Sequence, residues 1–202
     1  YVWGVYKKTS PWEYDQLFNI KNLGQTPRAD GYQYGASVKM DRANRISVAG
    51  ATGFTSAGWL HAFDSNNPDR EVSVIQSNIP DLAGLGFSVD VNNKLIVSGA
   101  PSSRGNVGYV LVYQLFAFVD SVYYRPSQAI VCPTLTPGAK FGFSVSQSAD
   151  GAWLYVGSPG ESTVYVYKYN NLDFKTHQDD LIQEKIYAGY PLPEGYTNDI
   201  RA

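Results

Sequence analysis

The sequence predicts an all-β protein built from repeated, four-stranded antiparallel units, and three observations support this prediction. The 202 residues include 19 Gly, 16 Tyr, 9 Phe and 4 Trp but a single Met, a composition that favours strands and turns over helices. A unit of similar sequence recurs three times, at intervals of 51 and 56 residues. Within each unit, apolar and polar residues alternate with the period of two that is typical of half-buried strands.

Each unit contains four predicted strands. The first begins at a glycine that is followed two residues later by serine and then by valine, and these glycines are Gly35, Gly86 and Gly142. The second is apolar and ends in a small-residue turn, at residues 46–51, 95–101 and 154–159. The third alternates and ends on an aromatic residue, at 58–63, 108–113 and 162–167. The fourth is more polar, as an outer strand should be, and is expected at 71–75, 127–131 and 180–186.

Four short antiparallel strands that repeat at this interval are typical of a β-propeller blade, whose first strand lines a central channel. The predicted blades span residues 31–80, 81–136 and 137–188. Residues 1–30 are expected to form the outer strands of a preceding blade, because residues 1–6 align with the third strand at 108–113. About three and a half blades leave an incomplete ring, since propellers typically have 4–8 blades. Residues 189–202, rich in Pro and Gly, are predicted to be a linker or docking arm.

Two of the units resemble a known repeat. Residues 141–145 (Phe-Gly-Phe-Ser-Val) followed by 156–159, and residues 86–89 followed by 98–101, resemble FG-GAP repeats, the blades of integrin-α-type β-propellers. The resemblance covers residues 1–188. It implies a propeller in an extracellular, cell-surface or virion protein engaged in adhesion and assembly.

Many FG-GAP blades carry a calcium-binding loop between the first two strands, and this sequence departs from that pattern. Calcium takes 6–8 oxygen ligands, whereas the corresponding loops here contain one carboxylate each. The best candidates for metal ligands are Asp90 and Asn92, and Lys94 beside them opposes cation binding. We therefore expect turns at these positions and no metal or other cofactor.

No catalytic constellation is evident in the sequence. The two histidines are His61, on an alternating strand, and His177, in a polar segment, and neither belongs to a nucleophile motif such as G-x-S-x-G. The acidic residues are scattered over predicted turns without a recurring pair that would suggest glycoside hydrolysis. The lone Cys132 excludes an internal disulfide. The sequence therefore predicts that the protein is not an enzyme.

The net charge of −2 disfavours nucleic acid as a partner, and no apolar run approaches the roughly 20 residues of a membrane span. The predicted partners are instead protein subunits of a larger assembly or further blades of the same polypeptide. Aromatic residues are enriched at protein interfaces, and an apolar run after the second unit's third strand is unexpected on a rim or loop. The predicted contact residues are those in this run and in the C-terminal arm: Leu115, Phe116, Phe118, Tyr190 and Tyr196.

The predicted function is an interaction or structural module in an adhesive or scaffolding assembly. The alternative is a carbohydrate-binding or carbohydrate-acting propeller, in which aromatic side chains stack on the faces of a bound glycan. Trp59 and Trp153 are the residues whose replacement by alanine tests this alternative.

Overall fold

The computed structural model describes residues 3–8, 14–20, 33–43, 45–53, 57–64, 71–76, 82–92, 95–118 and 121–168. Within these residues the chain is all-β, as predicted. The strands are β1 Trp3–Lys8, β2 Tyr14–Ile20, β3 Tyr34–Asp41, β4 Ile46–Ala51, β5 Trp59–Asp64, β6 Glu71–Gln76, β7 Ser88–Asn92, β8 Leu95–Ala100, β9 Tyr109–Phe118, β10 Ser121–Val131, β11 Ser144–Gln147, β12 Trp153–Ser158 and β13 Thr163–Lys168. In the same residues the helical elements are two single turns, α1 at Ser103–Asn106 and a 3-10 turn at Pro159–Glu161.

The strands form antiparallel sheets in which neighbours along the chain are neighbours in the sheet. The first four-stranded sheet has the order β3-β4-β5-β6, the second four-stranded sheet has the order β7-β8-β9-β10, and the three-stranded sheet has the order β11-β12-β13. A separate pair joins β1 to β2. Among the described strands, none of these sheets closes on itself.

The sheets pack on one another through apolar faces. The first strands of successive sheets are adjacent, since β3 contacts β7 and β7 contacts β11. One core joins the first and second four-stranded sheets and includes Val48, Leu60, Ile96, Leu111 and Tyr113. A second core joins the second four-stranded sheet to the three-stranded sheet and includes Val97, Val110, Phe141, Leu154 and Val156.

Strand alternation explains how the second sheet contributes to both cores. On β8, Ile96 belongs to the first core, whereas Leu95 and Val97 belong to the second. Because successive side chains point to opposite faces of a sheet, this strand carries apolar residues on both faces, and all six of its residues are buried. We call the face that each sheet directs at the next sheet along the chain its forward face.

The apolar run that begins at Leu115, a predicted contact surface, lies in a strand. Strand β9 continues through Phe118 and pairs with the start of β10, where Ser121 is opposite Phe118 and Tyr124 is opposite Leu115. The run is therefore the end of a long hairpin, because Val122, Tyr123 and Tyr124 supply a strand of matching propensity. Leu115 is partly buried against the first core.

The described residues do not include several predicted features. The fourth strand at 180–186, His177, Tyr190, Tyr196 and the arm at 189–202 lie outside them. The backbone of Phe116 and Phe118 belongs to β9. Among the described residues there is no helix with the length and apolar character needed to cross a membrane.

Candidate interaction surface

Successive sheets approach each other closely at glycines that recur in the repeat. A Cβ atom on Gly50 would lie 2.0 Å from the carbonyl oxygen of Gly86, and a Cβ atom on Gly99 would lie 1.8 Å from that of Gly142. Both distances are far shorter than a van der Waals contact. Gly86 and Gly142 themselves have φ of 88° and 84°, a region that side chains strongly disfavour. Glycine at both sides of the contact therefore allows backbone to touch backbone.

Serine hydroxyls join the sheets at the same place. Ser37 donates a hydrogen bond of 2.6 Å to the carbonyl oxygen of Gly86, and Ser88 donates one of 2.8 Å to that of Gly142. Two parallel bridges extend the contact. At the first interface Gly58 pairs with Leu85, which precedes strand β7 of the next sheet. At the next interface Gly108 pairs with Phe141 in the same way. The two interfaces described thus have three matched connections each.

The forward face of the three-stranded sheet is uncovered within the described structure. Leu60 and Val110, at equivalent positions of the first two forward faces, are both 0 % exposed. The equivalent residue on β13 is Val164, which is 64 % exposed. All three side chains are aliphatic, so residue type does not explain the difference in exposure. Leu60 and Val110 are buried because the next sheet packs on them, whereas no described sheet packs on Val164.

A second set of equivalent residues repeats this contrast. Val48 and Val97 are 0 % exposed, whereas Tyr155 is 43 % exposed at the same position of β12. Trp153 lies on the same face as Tyr155, is partly buried, and has the Nζ of Lys168 5.4 Å from its ring centroid. The candidate interaction surface is this forward face, defined by Trp153, Tyr155, Val164 and the partly buried Val166.

Asp90, on β7, interacts with the first strands of the two neighbouring sheets, β3 and β11. Its carboxylate is 4 % exposed, lies 3.3 Å from the Nζ of Lys39 on β3, and accepts a hydrogen bond of 2.6 Å from the backbone N–H of Gln147 on β11. The backbone N–H of Val91 donates a further bond of 2.9 Å. The oxygens that a cation would use are thus engaged by donors from three strands. Among the described residues, no group of three or more His, Cys, Asp or Glu could hold a metal ion.

Asn92 also acts between sheets, since its side-chain amide donates to the backbone carbonyl of Ser148. Aligning the repeats places Lys39 and Asp90 at the same position of successive first strands. Opposite charges at one repeat position are the signal from which this inter-sheet ion pair was predictable. His61 is buried at 6 % exposure, and its Nδ1 lies 2.8 Å from the hydroxyl of Tyr34.

Glu161 organises a second polar cluster beside the three-stranded sheet. Its carboxylate accepts hydrogen bonds of 2.9 Å from the hydroxyls of Ser158 and Tyr165, and a further one from Thr134. Burial favours the neutral acid, but the hydrogen bonds from Thr134, Tyr165 and Ser158 outweigh it and lower the pKa of Glu161 to about 2. The Sγ of Cys132 lies 3.4 Å from the same carboxylate. The cluster joins the loop after β10 to β12 and β13.

Replacing Glu161 by glutamine should flatten the acid dependence of stability. The pKa of Glu161 falls from 4.5 to about 2 on folding, so the ionised carboxylate stabilises the fold above pH 4.5 and loses this effect as pH falls toward 2. An amide does not titrate in this window. Urea midpoints measured between pH 5 and about pH 2 should therefore decline more steeply for the wild type than for Glu161→Gln. Parallel curves would show that Glu161 is not held by these hydrogen bonds.

Comparisons with known proteins reveal a similarity of fold. No family model and no curated protein matches the chain. Among solved structures, the chain is similar to Kuenenia stuttgartiensis Hydrazine Synthase, with a TM-score of 0.52 and 15 % sequence identity. The match covers 82 % of this chain and 47 % of that one, so the chain spans about half the length of the solved structure.

This similarity corrects one expectation from the sequence. The prediction that the protein is not an enzyme is wrong on this comparison, because a protein with a similar fold is by name an enzyme. At 15 % identity the likeness concerns the fold, and the chemistry of Hydrazine Synthase is not transferred to this chain.

Proposed function

We propose that the chain is a segment of a β-propeller of the FG-GAP type that serves as an interaction or structural module in a larger assembly. The observation that carries this proposal is the uncovered forward face of the three-stranded sheet, where Val164 is 64 % exposed and its two equivalents are 0 % exposed. Exposed apolar faces of this kind mark contact sites. The module contributes to assembly by presenting this face.

Two further observations support the proposal. The four-stranded antiparallel meanders stack with their first strands adjacent, as blades do around a channel. The resemblance of residues 86–89 and 141–145 to FG-GAP repeats supports the family, and with it an extracellular, cell-surface or virion setting. The partners in this proposal are protein subunits or further blades of the same polypeptide.

The isolated chain is expected to self-associate through the exposed face, and Val164→Lys should suppress this association. A lysine there places a charge where apolar burial would occur, and an unpaired buried charge is strongly unfavourable. Sedimentation velocity over a concentration series should show wild-type oligomers at concentrations where Val164→Lys is a monomer. The matched control is Leu135→Lys, because Leu135 is 50 % exposed on a loop outside the candidate surface.

Two results would contradict the proposed function. The first is a compact wild-type monomer at every concentration. The second is an equal loss of association in Val164→Lys and Leu135→Lys, since that would reflect added charge and not the candidate surface.

A further inference from the structure

At the three positions that connect each of the other sheets to the next, the three-stranded sheet has Ser144, Gly157 and Ser162. The position of Ser37 and Ser88 is occupied by Ser144, which is exposed and makes no hydrogen bond to another sheet among the described residues. Its equivalents Ser37 and Ser88 donate to a glycine carbonyl of the next sheet. Ser144 therefore has an available hydroxyl at the place where this bond forms elsewhere.

A glycine is also present where backbone contact with a successor would occur. Gly157 is equivalent to Gly50 and Gly99, whose Cβ positions are filled by the next sheet. The nearest atoms to a Cβ on Gly157 all belong to Ser144 of its own sheet. Rotation of the Ser144 hydroxyl, 2.3 Å from that Cβ position, would relieve this contact, whereas a backbone carbonyl as close as those at Gly50 and Gly99 would require glycine.

The third position resembles its equivalents in the sign of φ, although Ser162 also caps the 3-10 turn at Pro159–Glu161. Gly58 and Gly108 have φ of 84° and 96° and form the parallel bridges to the next sheet. The equivalent residue Ser162 also has a positive φ, 54°. Ser162 thus adopts the left-handed region that the bridging position uses, a region that residues other than glycine rarely occupy.

From these three features and the exposed apolar face, we infer that the candidate interaction surface binds a further sheet of this same repeat. The first strand of this bound sheet begins with a glycine of positive φ. The carbonyl oxygen of that glycine contacts Gly157 and accepts a hydrogen bond from Ser144. Its apolar face corresponds to the side chains with which the second four-stranded sheet covers the first, namely Val89, Val91, Ile96, Leu111 and Tyr113. This inference rests on the proposed function and specifies the partner of the same surface.

The occupant is a sheet and not an unstructured peptide, because the connections lie on two strands. Ser144 and Gly157 are opposite each other on β11 and β12, and Ser162 immediately precedes β13. A single extended strand would reach the glycine contact but would leave Tyr155 and Val164 uncovered. Covering both requires the second and third strands of a sheet, because in the first core Ile96 of β8 and Leu111 of β9 belong to the same cluster as Val48 and Leu60.

The test appends a copy of residues 82–131 to the full 202-residue chain through a flexible Gly/Ser linker. This segment contains β7–β10 and ends before Cys132. The reporter is Val164→Cys, whose labelling by a thiol reagent is followed by mass spectrometry at low protein concentration. We expect the appended copy to slow labelling of the thiol at position 164 by about tenfold or more. Leu135→Cys, on a loop outside the surface, should label at the same rate with and without the copy.

A variant of the appended copy makes the test specific. Gly86→Val within that copy adds a side chain at a close contact, because in the existing interface a Cβ atom at position 86 would lie 2.6 Å from the carbonyl oxygen of Trp59 and 2.8 Å from the Cα of Gly50. This substitution should restore fast labelling of position 164. Labelling that stays fast with the unmodified copy overturns the inference, and so does protection that Gly86→Val leaves intact.

If Val164→Lys abolishes self-association but the copy gives no protection, the proposed function stands and this inference fails. If the wild type never associates and the copy gives no protection, both fail.

Discussion

Gly99→Ala is expected to destabilise the protein by about 3 kcal/mol or more, whereas Gly157→Ala should change stability by less than about 1 kcal/mol. A Cβ atom added at position 99 would lie 1.8 Å from the carbonyl oxygen of Gly142, so the second and third sheets must separate to accept it. At Gly157 the obstacle is the hydroxyl of Ser144 at 2.3 Å, which can rotate away. The two glycines occupy the same repeat position, so intrinsic propensity is closely matched.

Thermal unfolding measures this difference directly. For a chain of this length, about 3 kcal/mol corresponds to a decrease in Tm of roughly 6–12 °C. Circular dichroism of both variants at low concentration should therefore place Gly99→Ala well below the wild type and Gly157→Ala close to it. Equal Tm values for the two variants would mean that the sheets do not contact one another through these glycines.

Phe141→Ala should have a comparable effect, with a loss of about 3–5 kcal/mol. Phe141 is 0 % exposed and makes edge-to-face contacts with Tyr165 and Tyr167, at centroid distances of 5.4 and 6.3 Å. It precedes the glycine of the third repeat and fills the core between the second and third sheets. Truncation would leave a cavity that two tyrosines on a hydrogen-bonded strand cannot close.

Phe143→Ala, two residues along the chain, provides the matched control. Phe143 is 44 % exposed, and its ring centroid lies 4.9 Å from that of Phe87. Loss of this exposed aromatic pair should cost about 0.5–1.5 kcal/mol. Urea unfolding followed by tyrosine and tryptophan fluorescence should show a much larger decrease in midpoint for Phe141→Ala. If Phe143→Ala is as destabilising as Phe141→Ala, the two side chains do not differ in burial as described.

The repeat was the most informative feature of the sequence. Aligning Gly35, Gly86 and Gly142 predicts three antiparallel meanders, because the period-two pattern after each glycine defines the strands. The alignment also contains the ion pair between Lys39 and Asp90, since the two residues occupy one repeat position. Within its own loop, Asp90 has only the pattern of a weak metal ligand, and the ion pair becomes evident when the repeats are aligned.

Other features depend on contacts that no local pattern reveals. Glu161 and Thr134 are 27 residues apart and meet only because a loop after β10 folds against the three-stranded sheet. The extension of β9 to Phe118 depends on its pairing with β10, which contains a proline that weakens a strand prediction. The exposure of Val164 likewise could not be predicted from local sequence, because the residues around Val164 resemble those around the buried Val110.

We infer that the next sheet covers the forward face of each four-stranded sheet and that the forward face of the three-stranded sheet, exposed within the described residues, binds a partner. Thiol labelling of Val164→Cys and Val110→Cys tests it most directly, because these residues are equivalent in the repeat and differ in exposure, 64 % against 0 %. In dilute solution of the 202-residue chain, the thiol at position 164 should react at least about a hundredfold faster than that at position 110. Equal rates at the two positions would contradict the account.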